Sequence, residues 1–185
     1  MLRSTLFVLS IVVAGPVYAV QLKSSIAAGS GCQANQNLGA SLTGDTVSWS
    51  LPGFAARVEA QGSRLDRKNC SVTLTFQVPS GKRISPAQMS YELEANIPES
   101  AHGTFKVRTH YQSAKGDQAS VIELEGPSQR SGGGDLPLTT HWSACGGEVT
   151  MTIGTSINVK RGKIKGDAAL DLKNFGTVKL KQESC

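Results

Sequence analysis

Apolar and polar residues alternate along most of this chain, and that period of two restricts the fold more than any other feature. The alternation runs through Ser71–Val78, Gln88–Ile97, Thr104–Gln112 and the stretch from Val149 to Val159. Successive side chains of a β-strand point to opposite faces, so each segment is predicted to be a half-buried strand. No window shows the 3.6-residue period of an amphipathic helix, which favours an all-β protein.

Shorter strands and turns fill the rest of the sequence. Strands are predicted at Thr46–Leu51, Ser120–Leu124, Leu138–Trp142, Ala168–Leu172 and Thr177–Lys181. Turns are predicted where Gly, Pro, Asn and Ser cluster, as at Pro52-Gly53, Pro79-Ser80-Gly81, Gly146-Gly147 and Asn174-Phe175-Gly176. Many short strands separated by turns predict a single antiparallel β-sandwich, jelly-roll-like or immunoglobulin-like.

Two segments depart from the strand pattern. Phe54–Ala60 is expected to form a short helical turn. Gly126–Leu136 is rich in Gly and Ser, residues typical of flexible connections, so it is expected to be a long mobile loop.

The first 19 residues have the pattern of a secretory signal peptide. Arg3 follows the free amine, an apolar run ends at Pro16, and Ala19 is a small residue at the cleavage position. The run is shorter than the roughly 20 residues that span a bilayer. We therefore predict a signal peptide at 1–19, a loose lead-in at 20–31 and a β-sandwich domain at 32–185, with no membrane span in the mature chain. The protein is expected to be secreted and extracellular, or periplasmic in a Gram-negative host.

All four cysteines, Cys32, Cys70, Cys145 and Cys185, follow this signal. An even number of cysteines in an exported chain predicts two disulfides. The sequence has no Cys-x-x-Cys spacing, which disfavours a redox-active pair.

Charge and composition restrict the choice of partners. The chain has 19 Lys and Arg residues against 14 Asp and Glu, and only 5% of its residues are aromatic. Nucleic acid is not an expected partner, because stacking aromatics are not interleaved with the bases. Bases cluster only near the C-terminus, where a solvated hairpin face that protects an edge strand is favoured over a surface for anionic polymers or lipid headgroups. The clustered bases are Lys160, Arg161, Lys163, Lys165, Lys173, Lys179 and Lys181.

The residues around the cysteines resemble a known family. Gly29-Ser30-Gly31-Cys32 opens the domain, Arg67-Lys68-Asn69-Cys70 leads into one alternating strand, and Trp142-Ser143-Ala144-Cys145-Gly146 precedes another. Together with the terminal cysteine, this pattern resembles the small secreted proteins grouped as domain of unknown function 4360. The resemblance spans essentially the whole mature chain. It implies secretion, disulfides and a β-rich fold, and it implies no particular activity.

The disulfide pairing is open at this point, because four cysteines allow three connectivities. We prefer Cys32–Cys70, which would hold the mature N-terminus on the start of the strand Ser71–Val78. The second preferred pair, Cys145–Cys185, would hold the last strand to the loop before Glu148–Ile153. Each pair closes a loop of about 40 residues, which is worth roughly 4 kcal/mol in the chain-entropy model.

Patterns that support catalysis or metal binding are weak. His102, His110 and His141 lie on separate segments without ligand spacing, so no metal and no cofactor are predicted. The chain contains no Gly-x-Ser-x-Gly nucleophile motif. Trp49 and Trp142 both fit core positions, and His141 is expected to point outward beside Trp142.

Two pairs of glutamates, Glu92 with Glu94 and Glu123 with Glu125, could supply the two carboxylates of a glycosidase. Each pair has i, i+2 spacing and therefore shares one strand face. A solvent-facing role opposite Lys106 and Arg108 across a strand pair explains these glutamates better.

The leading functional hypothesis is a non-catalytic, disulfide-stabilised β-sandwich that acts by extracellular surface binding. Its partner is unknown, with an extracellular polymer or protein expected. Lys106, Arg108 and His110 are candidate binding residues because they share one polar strand face. The segments Gly126–Leu136 and Ala101–Gly103 are candidate binding loops. The alternative is an extracellular hydrolase, or an inhibitor of a hydrolase that uses a protruding loop.

Overall fold

The computed structural model describes residues 19–50, 53–112, 118–163 and 166–185. Within these ranges the chain forms β-strands and no helix. The strands are β1 Gln21–Gly29, β2 Cys32–Asn37, β3 Ser41–Thr43, β4 Thr46–Ser48, β5 Phe54–Val58, β6 Leu65–Val78, β7 Lys82–Ile97, β8 His102–Tyr111, β9 Gln118–Glu125, β10 Ser128–Pro137, β11 Gly147–Lys160 and β12 Ala168–Ser184.

The strands form two antiparallel sheets. Sheet A has the order β2-β1-β6-β11-β8-β9, and sheet B has the order β10-β7-β12-β4-β3, with β5 also paired to β12. The predicted all-β, antiparallel β-sandwich is therefore confirmed. The pairs β1–β2, β3–β4 and β8–β9 are consecutive in the chain, whereas the other neighbouring strands come from distant parts of the sequence.

Alternation along the long strands builds one core between the sheets. Every second residue of β6, from Cys70 to Val78, is buried, and the residues between them face solvent or are half-buried. The same parity holds along β8 and β11. Sheet B contributes a matching buried set, which includes Met89, Leu93, Leu170, Leu172, Val178 and Leu180. This inward set leaves the outward residues of each sheet free for other contacts.

Both preferred disulfides are present. Cys32 pairs with Cys70 across a Cα–Cα distance of 5.5 Å, and Cys145 pairs with Cys185 across 6.2 Å. The first joins β2 to β6 within sheet A, and the second joins the chain's last residue to the segment before β11.

Three predicted irregular segments are strands instead. Phe54–Ala60 is not helical, because Phe54, Ala56 and Val58 alternate with outward residues in β5. Gly126–Leu136 is not a loop, because β10 pairs with β7 along its whole length despite its glycines. Residues 20–31 are not a loose lead-in, because they contain β1, which lies between β2 and β6.

The C-terminal third also differs from expectation. Leu138–Trp142, predicted to be a strand, forms no strand, and the two strands predicted after residue 167 are one strand, β12. The turn expected at Asn174-Phe175-Gly176 is a pair of register shifts in β12. Because β12 lies inside sheet B and β11 inside sheet A, the C-terminal lysines of these two strands do not lie on a hairpin that protects an edge strand; Lys165 lies outside the described residues.

Candidate functional site

The outward face of β8 carries the three predicted binding residues, Lys106, Arg108 and His110. Phe105, Val107 and Thr109 point into the core and are buried. Lys106, Arg108 and His110 therefore lie together on the outer face of sheet A, as parity along a strand requires. Lys106 and Arg108 are two residues apart, a spacing of about 7 Å along the strand.

Strand pairing brings residues from β6 and β11 beside these side chains. Arg108 lies opposite Gly154 of β11, and Gly154 lies opposite Ser71 of β6. One row further along, Lys106 lies opposite Ser156, and Ser156 lies opposite Asn69. The central strand thus contributes only a glycine and a serine to the middle of this face.

The missing side chain at Gly154 leaves a shallow groove of about 290 Å³ in the face. A methyl group at Gly154 would lie 3.9 Å from the Arg108 carbonyl oxygen and 3.9 Å from Ser71 Oγ, which is ordinary contact. The groove therefore results from the absence of a side chain, and not from close packing of the backbone. We call it the cationic groove; its lining is Arg67, Asn69, Ser71, Lys106, Arg108, His110, Gly154, Thr155 and Ser156.

Positive charge in the cationic groove is not neutralised locally. Within the described parts of the chain, the side chains of Arg67, Lys106 and Arg108 make no recorded ion pair or hydrogen bond, and no carboxylate lines the groove. The Asn69 side chain is fixed, because its Oδ1 accepts a hydrogen bond of 3.1 Å from the Ser30 backbone N–H. The groove therefore combines three cations with anchored polar groups.

The glutamates do not face Lys106 and Arg108 as predicted. Glu92 and Glu94 lie on β7 in sheet B, and β8 belongs to sheet A. Glu123 and Glu125 lie on β9 beside β8, but their direct partners are Thr104 and His102. The residues opposite Lys106 and Arg108 are Val121 and Ala119.

The outer face of sheet B is also charged, but its charges are paired. Lys173 Nζ lies 2.7 Å from Asp171 Oδ2 and 3.0 Å from Glu94 Oε2, and Arg57 lies 3.3 Å from the same Asp171 oxygen. Hydrogen bonds to Asp171, and then to Glu94, raise the pKa of Lys173 above its ordinary value. This network lines a cavity of about 430 Å³, in which Arg130 is the one charged lining residue without a recorded ion pair in the described chain.

The three histidines do not converge. His102 and His110 lie at opposite ends of β8, and His141 lies in the segment after β10. In the described ranges, no group of three or more His, Cys, Asp or Glu side chains could hold a metal ion.

The two tryptophans have different environments. Trp49 is in the core, as predicted, with 7% of its surface exposed. Trp142 is not in the core: it is half-buried beneath the Arg83 guanidinium, which lies 5.2 Å from its ring centroid. His141 does not point freely outward either, because its Nε2 is buried without a hydrogen-bond partner in the described structure. Ser143 is the buried residue of this segment, and its Oγ accepts a hydrogen bond from the Ile84 N–H.

Sequence reasoning missed Arg67 and Gly154 as parts of the site. Arg67 shares its parity with Ser71, and Gly154 shares its parity with Thr150 and Thr152, so their outward direction was readable from the alternation. Their position beside Arg108 was not readable, because it depends on which strands pair.

Comparison with known proteins yields a family and distant structural likenesses. A family model described as "Domain of unknown function (DUF4360)" matches residues 18–185. A search of curated proteins found no match. No helix in the described residues is long and apolar enough to cross a membrane.

Among solved structures, the chain is similar to TmCBM61 in complex with β-1,4-galactotriose (8% identity, TM-score 0.30, 70% of this chain and 82% of that one). It is similar to the adhesin domain of Epf from Streptococcus pyogenes (13% identity, TM-score 0.33), of which it spans less than half, 46%, with 72% of its own length. It is also similar to a CBM4 structure (11% identity, TM-score 0.29, 78% and 79% covered). No feature of a binding site is transferred from likenesses at this level.

Proposed function

Since the chain belongs to the DUF4360 family, whose description names no activity, we propose a function from its own surface: it is a secreted, non-catalytic β-sandwich that binds an anionic extracellular polymer in the cationic groove. The predicted signal peptide and the two disulfides support an extracellular site of action. The proposed ligand is a linear chain that carries repeated carboxylate, sulfate or phosphate groups.

The observation that carries this proposal is a set of three cations that make no recorded ion pair within the described chain and share a groove whose lining holds no carboxylate. Arg67 lies on β6, and Lys106 and Arg108 lie on β8, so one intervening strand places them about 10 Å apart across the sheet. Single exposed ion pairs contribute only about 0.2–1 kcal/mol each. A polymer that contacts several cations at once gains from their joint effect, because later contacts form within an already bound chain.

The composition of the groove supports binding without catalysis. A glycosidase needs two carboxyl groups across the scissile bond, and a serine hydrolase needs a histidine oriented by an acid. The described lining of the groove contains no Asp or Glu, so it does not hold the two carboxyl groups of a glycosidase. The two candidate binding loops are not loops, because Ser128–Pro137 is the paired strand β10, Ala101 is buried, and His102 and Gly103 begin β8.

The proposal predicts that reversing two groove charges weakens binding to polyanions. The double variant Lys106→Glu/Arg108→Glu should bind immobilised dextran sulfate at least about tenfold more weakly at low salt, because two attractive contacts become repulsive. The control is Lys163→Glu/Lys181→Glu, which makes the same change in net charge at exposed residues outside the groove. Both variants are measured by affinity electrophoresis, with neutral dextran as the uncharged matrix.

Equal weakening by both double variants would contradict the proposal, because it would show that net charge alone governs retention. A third variant, Gly154→Val, places an uncharged side chain in the groove, where its Cβ would make only ordinary contacts with the Arg108 carbonyl oxygen and Ser71 Oγ. Weaker binding by this variant would support a ligand seated in the groove, and unchanged binding would argue against it.

A further inference from the structure

A second concave site lies at the edge of sheet B, where three consecutive glycines replace side chains. Strand β10 is the edge strand there, and its Gly132 and Gly134 lie opposite Leu93 and Tyr91 of β7. Leu93 and Tyr91 belong to the apolar side of β7, where Leu93 is buried and Tyr91 is half-buried, and the two glycines add no side chain beside them at the margin of the sandwich. The result is a notch of about 460 Å³, lined by Tyr91, Leu93, Gln129, Arg130, Ser131, Gly132 and Gly133.

The ring of Tyr91 forms a fixed wall of this notch. A methyl group at Gly134 would lie only 2.9 Å from the Tyr91 hydroxyl oxygen, so the ring extends over that glycine. From the core side the ring contacts Phe105, with 5.2 Å between the ring centroids. The space over Gly132 is open, since a methyl group there would meet no atom within 4 Å.

Arg130 is the one charged residue in the lining of the notch. It shares its parity with Gly132, two residues later on the same strand, and it is exposed. Within the described chain, its guanidinium makes no recorded ion pair or hydrogen bond. Arg130 also lines the cavity of about 430 Å³ on the outer face of sheet B, which contains the ion pairs of Lys173.

We propose that this edge notch binds a hexuronic acid ring, a flat sugar that carries one carboxylate. The aromatic wall suits the C–H face of a pyranose, and the guanidinium fork suits a carboxylate, which it can bind with two parallel hydrogen bonds. The backbone N–H and C=O groups on the free edge of β10 can bond ring hydroxyls, whereas the side chains of Gln129 and Ser131 have the opposite parity to Arg130 and point to the outer face of sheet B. The volume lies within the range of small-molecule sites.

This inference goes beyond the proposed function, because the edge notch and the cationic groove lie on different sheets and share no lining residue. The groove needs several charges on a polymer, whereas the notch needs one ring with one carboxylate. Either site can therefore fail without the other.

The test is a titration of the ¹⁵N-labelled protein with trigalacturonate, followed by the backbone amide signals of Gly132, Gly133 and Gly134. We expect these signals to shift with saturation. Arg130→Gln should weaken the affinity about tenfold, the size of a lost charge-assisted contact. The matched control Arg64→Gln removes an exposed arginine outside the notch and should leave the affinity unchanged.

Two further probes separate the ring contact from the carboxylate contact. Fully methyl-esterified trigalacturonate should bind as weakly to the wild type as the acid binds to Arg130→Gln, because each lacks one partner of the same contact. Tyr91→Leu should abolish binding, whereas Tyr91→Phe, which keeps the ring, should retain most of it. The amide spectrum of each variant reports whether it folds, and Arg130→Gln keeps the test decisive if Tyr91→Leu does not.

The inference is overturned if trigalacturonate leaves the three glycine signals unmoved, or if acid and ester bind equally. It is also overturned if Lys106→Glu/Arg108→Glu removes the response and Arg130→Gln does not, which would assign the sugar to the groove. Shifts along the whole of β10 with an uncharged extended peptide, but not with the sugar, would show that the edge binds a strand instead.

Discussion

At the scale of single residues, Tyr111 connects the two sheets. Its hydroxyl, at the end of β8, donates a hydrogen bond of 2.8 Å to the carbonyl oxygen of Ile84 in β7. The same carbonyl accepts a 2.9 Å hydrogen bond from the N–H of Ser143. Tyr111 is 3% exposed, and this burial raises the pKa of its phenol far above its usual value.

Replacing Tyr111 by Phe should reduce the free energy of unfolding by about 1–2 kcal/mol, because a buried hydrogen bond to Ile84 is lost. Urea denaturation at pH 8 measures this loss. Tyr91→Phe is the matched control, since the Tyr91 hydroxyl has no recorded hydrogen bond among the described residues. If both variants lose the same stability, the Tyr111 contact has no special role.

The raised pKa of Tyr111 also predicts a pH dependence. Above pH 10 the phenol ionises in the unfolded chain but stays neutral in the folded one, so the unfolded state binds fewer protons. Stability conferred by Tyr111 is therefore complete below pH 10 and declines as the pH rises further. Tyr111→Phe should show a smaller decline between pH 9 and pH 10.5 than the wild type, and parallel curves would contradict this assignment.

At the scale of strands, Gly176 and Gly154 both lie within a long strand, but only Gly176 lies close against the backbone of another segment. Gly176 lies within β12, where it approaches the chain that follows β4: its carbonyl accepts a 2.7 Å hydrogen bond from the Trp49 N–H. A methyl group at Gly176 would overlap the Trp49 carbonyl oxygen. A methyl group at Gly154 in β11 would make only ordinary contacts, at 3.9 Å from the Arg108 carbonyl oxygen and from Ser71 Oγ.

Gly176→Ala should therefore destabilise the protein by about 1–3 kcal/mol, because β12 must move away from Trp49. Gly154→Ala, the matched control in another strand, should leave stability unchanged or raise it by about 0.5–1 kcal/mol, since alanine loses less backbone entropy on folding. Thermal unfolding of both variants measures the difference. Equal effects would mean that the close approach at Gly176 is relieved without cost.

The sequence predicted those strands that show a long alternation of buried and exposed residues. It did not predict strands that are held mainly by hydrogen bonds to a neighbouring strand. The long strands β6, β7, β8 and β11 alternate over enough residues to be recognised. β5 is too short for its three buried residues to separate a period of two from 3.6. β10 contains Gly132–Gly134 and has almost no buried side chains, so hydrogen bonds to β7 hold it and no sequence pattern marks it.

The residues of the candidate sites were likewise predictable where one strand groups them, and not where strand pairing brings them together. The alternation along β8 placed Lys106 and Arg108 on one face, because this inference depends on the sequence of a single strand. Arg67 and Gly154 enter the cationic groove through the order β6-β11-β8, which joins segments that are far apart in sequence. The edge notch depends on the pairing of β10 with β7 and was therefore hidden from sequence reasoning.

At the scale of the whole molecule, the two disulfides differ in exposure and hardly in loop length. They join residues 38 and 40 positions apart, so the chain-entropy model gives both about 4 kcal/mol. Cys70 is fully buried and Cys32 is half-buried, whereas Cys145, before β11, and Cys185, after β12, are both exposed. Access to an attacking thiolate, and not loop entropy, should therefore decide which bond is reduced first.

Dithiothreitol without denaturant should reduce Cys145–Cys185 first and leave Cys32–Cys70 intact, because exchange requires a thiolate to reach a sulfur atom. Trapping with iodoacetamide and peptide mapping identify the free thiols at each time. The partly reduced protein should keep its sheets, since β12 is paired with β7 along most of its length. Simultaneous loss of both bonds would instead mean that reduction proceeds through global unfolding, and that the Cys145–Cys185 bond is needed to keep the sandwich closed.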